Sequence, residues 1–213
     1  MPRKVNADAR RQDVVEALFR VAVRDGLARA SLRSVADEAR LNIGSLRHYF
    51  ASQPELMRFA MQAMLDHVEA RISRRLADLD RTRSASYDER VRHAVALLGE
   101  LLPLDQARRE EIIVFLDFSS LSRTKPELAE LAVDAARASR TASRIVLAYL
   151  TGLTPDSPDL AAEAERLTSL IDGLGINAAL YPTLVDPPAT LAVLHTHLRA
   201  LAGYGTDTVL ESG

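Results

Sequence analysis

Residues 31–56 read SLRSVADEARLNIGSLRHYFASQPEL. Ser31 is a helix cap, and behind it Leu32, Val35, Ala36 and Ala39 fall on one face of a short helix. Arg40, Leu41 and Asn42 break that period. Asn42 is itself a cap, opening a helix from Ile43 to Phe50 in which Leu46 and Phe50 lie four apart and share a face. Two short helices joined by a three-residue turn form a helix-turn-helix unit. The run Ser52-Gln53-Pro54-Glu55 then supplies a cap, a first-turn proline and an early acid. Leu56, Phe59, Ala63, Met64, Val68, Ile72, Leu76 and Leu79 continue from it as one long helix.

The same period extends in both directions. Upstream, NADARRQDVVEALFRVAVRDG, starting near Asn6, places Val14, Leu18, Val21 and Ala22 on one face and stops at Gly26. Downstream of the polar stretch Asp80 to Ser86, five more helical patterns follow, with breaks near Pro103, at Thr124 to Pro126, at Gly152 to Pro158 and at Tyr181 to Pro188. No alternating strand pattern occurs. The expected fold is all-α with about nine helices: a three-helix head (residues 1–52), then a connecting helix and five more in a body (53–202), and a flexible tail (203–213).

A chain of 213 residues makes one large domain or two small ones at about 100–200 residues each. No apolar run of about 18 residues is present to span a membrane, so no membrane partner is expected. The chain has no cysteine, which excludes disulfides, thiolate metal sites and a cysteine nucleophile. The basic N-terminus lacks the apolar run of a signal peptide, so the expected location is cytoplasmic. His195 and His197 are two apart and point to different faces of a helix, so no metal site is expected. No nucleophile–base pair or phosphate-cradling loop is evident; neither an enzyme nor a cofactor is implied.

The formal charge of −2 is unevenly distributed. Residues 1–50 hold ten Arg or Lys against six acids and so carry +4, leaving −6 on the remainder. A basic head on an acidic body fits a polyanion partner. The only lysines are Lys4 and Lys125, so the positive charge is almost all guanidinium, suited to bidentate phosphate contacts.

The stretch 31–56, with the amphipathic first helix ending in Gly26, resembles the DNA-binding domain of TetR-family transcriptional regulators. The resemblance is carried by Val35-Ala36 and Ala39, by Gly44-Ser45-Leu46 with Phe50, and by Pro54-Glu55-Leu56. Within the family, His48-Tyr49-Phe50 is similar to the BetI-type branch, which includes choline-responsive repressors. The chain departs from the family pattern at Arg40, where glycine is usual, at Arg47, where tyrosine is usual, and at Gln53, where lysine is usual.

A recognition helix that enters the major groove needs a small, polar N-terminal face, and Asn42, Gly44 and Ser45 provide one. By the family pattern Ile43, Gly44 and Ser45 approach base edges of a double-stranded DNA operator, and Arg33 reaches a base or phosphate. Arg47, His48 and Tyr49 lie along the backbone side, and Gln53 keeps a neutral donor for phosphate. Arg3, Lys4, Arg10 and Arg11 would serve an arm or phosphate clamp, or are simply a solvated charge run. The resemblance implies a homodimer formed through the last two helices. The candidates are Leu167, Leu170, Ile171, Leu174 and Ala178, then Leu191, Leu194, Leu198 and Leu201, unless these face only the chain's own core.

It also implies a small-molecule effector of unknown identity, bound in the body. Ile112 to Leu116 is apolar on every side, which predicts a buried helix, and Asp117 follows on a face with Ile113 and Ser120. Asp117 either pairs with an arginine or reaches solvent, or it binds a cationic or hydrogen-bond-donating effector, with Phe115, Phe118, Met64 and Tyr149 as walls. The expected function is a dimeric repressor released from a palindromic operator by its effector. The alternative is a helical protein-interaction module that has lost operator recognition.

Overall fold

The computed structural model describes residues 2–203, and side chains from residue 9 to residue 202. Nine α-helices order the described residues: α1 (Pro2–Asp25), α2 (Leu32–Glu38), α3 (Ile43–Tyr49), α4 (Gln53–Arg81), α5 (Tyr87–Leu98), α6 (Gln106–Ser122), α7 (Pro126–Thr151), α8 (Ala161–Leu180) and α9 (Pro187–Ala200). Short 3-10 turns lie between several of them, and no strand occurs among the described residues. The expected breaks fall between helices as read, whereas α1 starts four residues before Asn6. The expected flexible tail lies, beyond Gly203, outside the described residues.

The chain divides into two compact units. The first joins residues 1–66 with Ile113–Asp134, and the second joins His67–Ile112 with the chain from Ala135 onward. The division differs from a cut at 52/53, because α4 continues through that point and the end of α6 and start of α7 belong with the head. Sequence period reveals a helix but not which core its far end joins.

In the first unit α1 buries Val14, Leu18, Val21 and Ala22, the stripe expected for it, against Val35 and Ala36 of α2, Leu46 of α3, Phe50 and Leu56. Met61 and Met64 of α4, Val114 and Phe118 of α6 and Leu128 of α7 complete this core. Each fully buried Leu, Val or Phe side chain contributes about 1.5–3 kcal/mol. On α6 only Val114 and Phe118 are fully buried, four apart on one face. Ile112, Ile113, Phe115 and Leu116 flank that face half-buried, which corrects the expectation of a helix buried all round.

The second unit packs Val91, Leu97 and Leu98 of α5 against Val146, Leu147 and Tyr149 of α7, Leu167 and Ile171 of α8, and Leu194 and Leu198 of α9. Beside this core, the buried carboxylate of Glu100 accepts from Arg75 at 2.9 Å and from Arg108 at 3.3 Å, with Arg71 3.5 Å away. Arg71 reaches Glu111 in a two-pronged contact at 2.6 and 2.9 Å, and this pairing raises the guanidinium above its ordinary value. Three guanidinium groups around one carboxylate satisfy a charge that would otherwise be costly to bury.

Candidate nucleic-acid interface

The helix-turn-helix is built from caps. At Ser31 the hydroxyl accepts from the Ser34 amide at 3.1 Å, while the Ser34 hydroxyl accepts from the Ser31 amide at 2.9 Å, which fixes the start of α2. The end of α2 closes as a Schellman motif: Leu41 N–H donates to Ala36 O at 2.9 Å and Arg40 N–H to Asp37 O at 3.2 Å. This closure needs a left-handed residue, and Arg40 occupies it at φ 56°. Asn42 then caps α3, its Oδ1 accepting from the Ser45 amide at 2.7 Å. A Cβ at Gly44 would sit 3.3 Å from that same Oδ1, a tight contact that the cap would have to yield to by a few tenths of an ångström.

The caps leave the first turn of α3 open to solvent. Ile43 is 41% exposed, and Gly44, Arg47 and His48 are exposed beside it. Ser45 is half-buried. Tyr49, also half-buried, meets the His48 ring edge-on at 5.7 Å. Leu46 and Phe50 are buried, as their spacing predicts. Asn42 uses its oxygen in the cap and keeps its amide NH2 as a donor.

The head's arginines divide into paired and unpaired sets. Arg20 and Arg24 both donate to Glu38 at 2.8 Å, and Arg24 also holds Asp25 at 3.0 Å. These bonds keep the Glu38 carboxyl below its usual range. Arg33 and Arg47 are exposed and form no ion pair among the described residues. Acidic neutralisation thus lies between α1 and α2, while guanidinium charge stands free at the start of α2 and along α3.

Other candidates have engagements of their own. Arg10 pairs with Asp13 at 3.2 Å on the surface. Arg11 lies over the rings of Phe50 and Phe59, 5.8 and 5.7 Å from their centroids, so its head group is oriented by cation–π contact. Gln53 donates to Ala30 O at 3.0 Å and ties the start of α4 to the loop before α2. The side chains of Arg3 and Lys4 lie outside the described residues.

The effector candidates belong to two different cores. Met64, Phe115 and Phe118 pack in the first, whereas Tyr149 packs in the second, its hydroxyl 2.7 Å from that of Thr82. Asp117 neither meets an arginine nor stands free, because its Oδ2 accepts from the backbone N–H of Leu27 at 2.8 Å.

The leucine faces assigned to a dimer divide into buried and half-buried side chains. Leu167, Ile171, Ala178, Leu194, Leu198 and Leu201 are buried within the single chain, and Leu170, Leu174 and Leu191 are half-buried. A side chain already enclosed by its own chain offers no surface to a second copy. The exposed apolar groups are instead Ile176 and Leu180 of α8, Tyr181 and Leu184 of the following turn, and Val193 of α9. Leu184 is 80% exposed and Tyr181 50%. Both faces of α8 carry apolar residues, so periodicity alone did not choose between them.

A capped three-helix head with an open recognition helix has the architecture of a helix-turn-helix DNA-binding domain, and the comparisons with known proteins agree. Residues 88–203 match the C-terminal domain of BetI-type transcriptional repressors. The chain is 32% identical to the HTH-type transcriptional regulator PksA of Bacillus subtilis, over 94% of each chain. A solved transcriptional regulator from Rhodococcus sp. RHA1 superposes with a TM-score of 0.76 at 31% identity, covering 91% of this chain and 96% of that one. The multidrug binding protein EbrR, solved with malachite green, gives 0.60 at 26% identity, covering 88% and 96%. The chain belongs to the TetR family of DNA-binding transcriptional regulators, with a BetI-type C-terminal domain.

No helix among the described residues is long and apolar enough to cross a membrane.

Proposed function

We propose that the chain acts as a homodimeric repressor that binds a palindromic operator and leaves it when a small organic molecule binds the body. The observation that carries the reading is the exposed first turn of α3, where Ile43, Gly44 and Arg47 stand open beside a cap that closes on Ser45. An α3 inserted in the major groove presents Ile43 to thymine methyl groups, the Ser45 hydroxyl to a base edge, and Arg47 to phosphate or guanine. Arg33 at the start of α2 adds a phosphate contact, and Arg11, oriented by its two rings, adds another. Such a regulator works where the DNA is, in the cytoplasm.

The exposed face formed by Ile176, Leu180, Tyr181, Leu184 and Val193 supports the dimer. Gly173 lies on the same side of α8 with open space where a Cβ would stand, so a partner helix can approach closely. Release by an effector follows if the bound molecule favours a body conformation in which the two α3 helices no longer fit successive grooves. The malachite green complex of EbrR is consistent with a small organic ligand for a fold of this kind.

The test is selection of bound duplexes from a random DNA pool. The reading predicts an inverted repeat with half-sites about one helical turn apart, as two-fold symmetry requires. Recovery of unrelated sequences would refute it.

A further inference from the structure

The end of α1 carries an unusual joint. Gly26 has φ 88° and ψ 146°, a conformation that essentially only glycine adopts, and it leads into the 3-10 turn Leu27–Arg29 with no side-chain cap of its own. The Leu27 side chain is fully buried, so its amide needs a partner inside the protein. That partner comes from 90 residues away: the Asp117 carboxylate of α6 accepts the Leu27 N–H at 2.8 Å, a charge-assisted bond. Ala30 and Ser31, which follow the turn, set the cap of α2, and Ala30 O is the atom that receives Gln53. One carboxylate therefore fixes the segment from which the helix-turn-helix starts.

The same helix is anchored at its other end. Arg109 of α6 donates to Ala179 O near the end of α8 at 2.9 Å, and Glu111 is held by Arg71. Val114 and Phe118 meanwhile lie in the head's core, on either side of Asp117 in sequence.

We propose that Asp117 is a positioning residue for operator binding. It holds the Gly26–Leu27 joint and, through that joint, the start of the helix-turn-helix. Resting on the operator-binding reading above, this role requires an acceptor atom rather than a charge at position 117. It governs fit to the operator and leaves the head's phosphate contacts in place.

The experiment measures the full-length chain by fluorescence anisotropy on its selected operator and on a scrambled duplex at low salt. Thermal melting by circular dichroism confirms that each variant is folded at the assay temperature. Asp117→Ala should weaken operator binding about tenfold, the scale of one charge-assisted hydrogen bond. Scrambled DNA should stay within about twofold, because its affinity is set by phosphate contacts. Asp117→Asn keeps a side-chain oxygen for the Leu27 amide and should restore operator binding to within about threefold of the parent. Gly26→Ala strains the same joint while leaving the sequence of α6 intact and should reproduce the operator-selective loss. If Asp117→Ala does not fold, the Asn and Gly26→Ala variants decide: a near-parental Asn with a selective Gly26→Ala loss supports the role. Equal losses on both duplexes, an Asn variant as defective as Ala, or no loss in any folded variant would overturn it. A parent chain that does not distinguish operator from scrambled DNA overturns the operator-binding reading itself, and that outcome is visible without any variant.

Discussion

Replacing Arg40 with glycine should stabilise the protein, although the change deletes a whole charged side chain. Arg40 holds φ 56° because the Schellman closure of α2 needs a left-handed residue between Ala39 and Leu41. In that region the Cβ of an L-residue crowds the following carbonyl at about 1–2 kcal/mol. Glycine removes the crowding but gives back about 0.4–1 kcal/mol through its freer unfolded chain. The Arg40 side chain is exposed and forms no ion pair among the described residues, so its loss should add little to either side. The net gain is about 0.5–1 kcal/mol, or about 2 °C in melting temperature for a chain of this length. Arg40→Ala is the control, since it deletes the same side chain but keeps the Cβ and should gain nothing. Urea unfolding followed by circular dichroism reads both. If the glycine variant is no more stable than the alanine variant, the strain argument is wrong.

Arg47→Ala should weaken operator and scrambled DNA alike and flatten the salt dependence by about one unit for each phosphate that the guanidinium neutralises; an unchanged slope in a salt titration would show that Arg47 does not bind phosphate. Ile176→Glu combined with Val193→Glu should convert a dimer to a folded monomer in sedimentation. Leu194→Glu, by contrast, places a charge in the chain's own core and should unfold it. A double variant that sediments as the parent does would displace the interface from this face of α8 and α9. Although Asp172 is exposed, partial desolvation of its carboxyl raises it above its ordinary value, so its ionisation works against the folded state. That cost is absent below pH 3.8, where the carboxyl is protonated in both states, and is fully present above the raised value. Asp172→Asn should therefore raise the melting temperature at neutral pH and lose its advantage in acid, and a pH-independent difference would contradict the sign.

Local chemistry made much of the head legible in sequence. Ser31 and Asn42 are caps whose partners lie three residues away, and Leu46 and Phe50 are an i, i+4 pair, so neither inference needed the rest of the chain. Arg40 was readable as a departure because a turn residue has a local conformational demand. Asp117 was not readable in the same way: its partner is a backbone amide 90 residues distant, and no spacing rule encodes such a bond. The choice of a dimer face is not legible in sequence for a related reason. Leu167 and Leu194 point inward while Ile176 and Val193 point outward, and a helix apolar on two sides does not reveal which side its own chain covers. The chemistry of Gln53 suits a neutral phosphate donor, and the structure adds an engagement with Ala30 that ties two elements of the head together.

The account stands most directly on the claim that the first turn of α3 reads bases. The measurement is operator selection repeated with Ser45→Ala beside the parent. The account predicts a changed preference at particular base pairs, placed symmetrically in the two half-sites, with the rest of the motif retained. An unchanged motif, bound with equal or uniformly lower affinity, would contradict it.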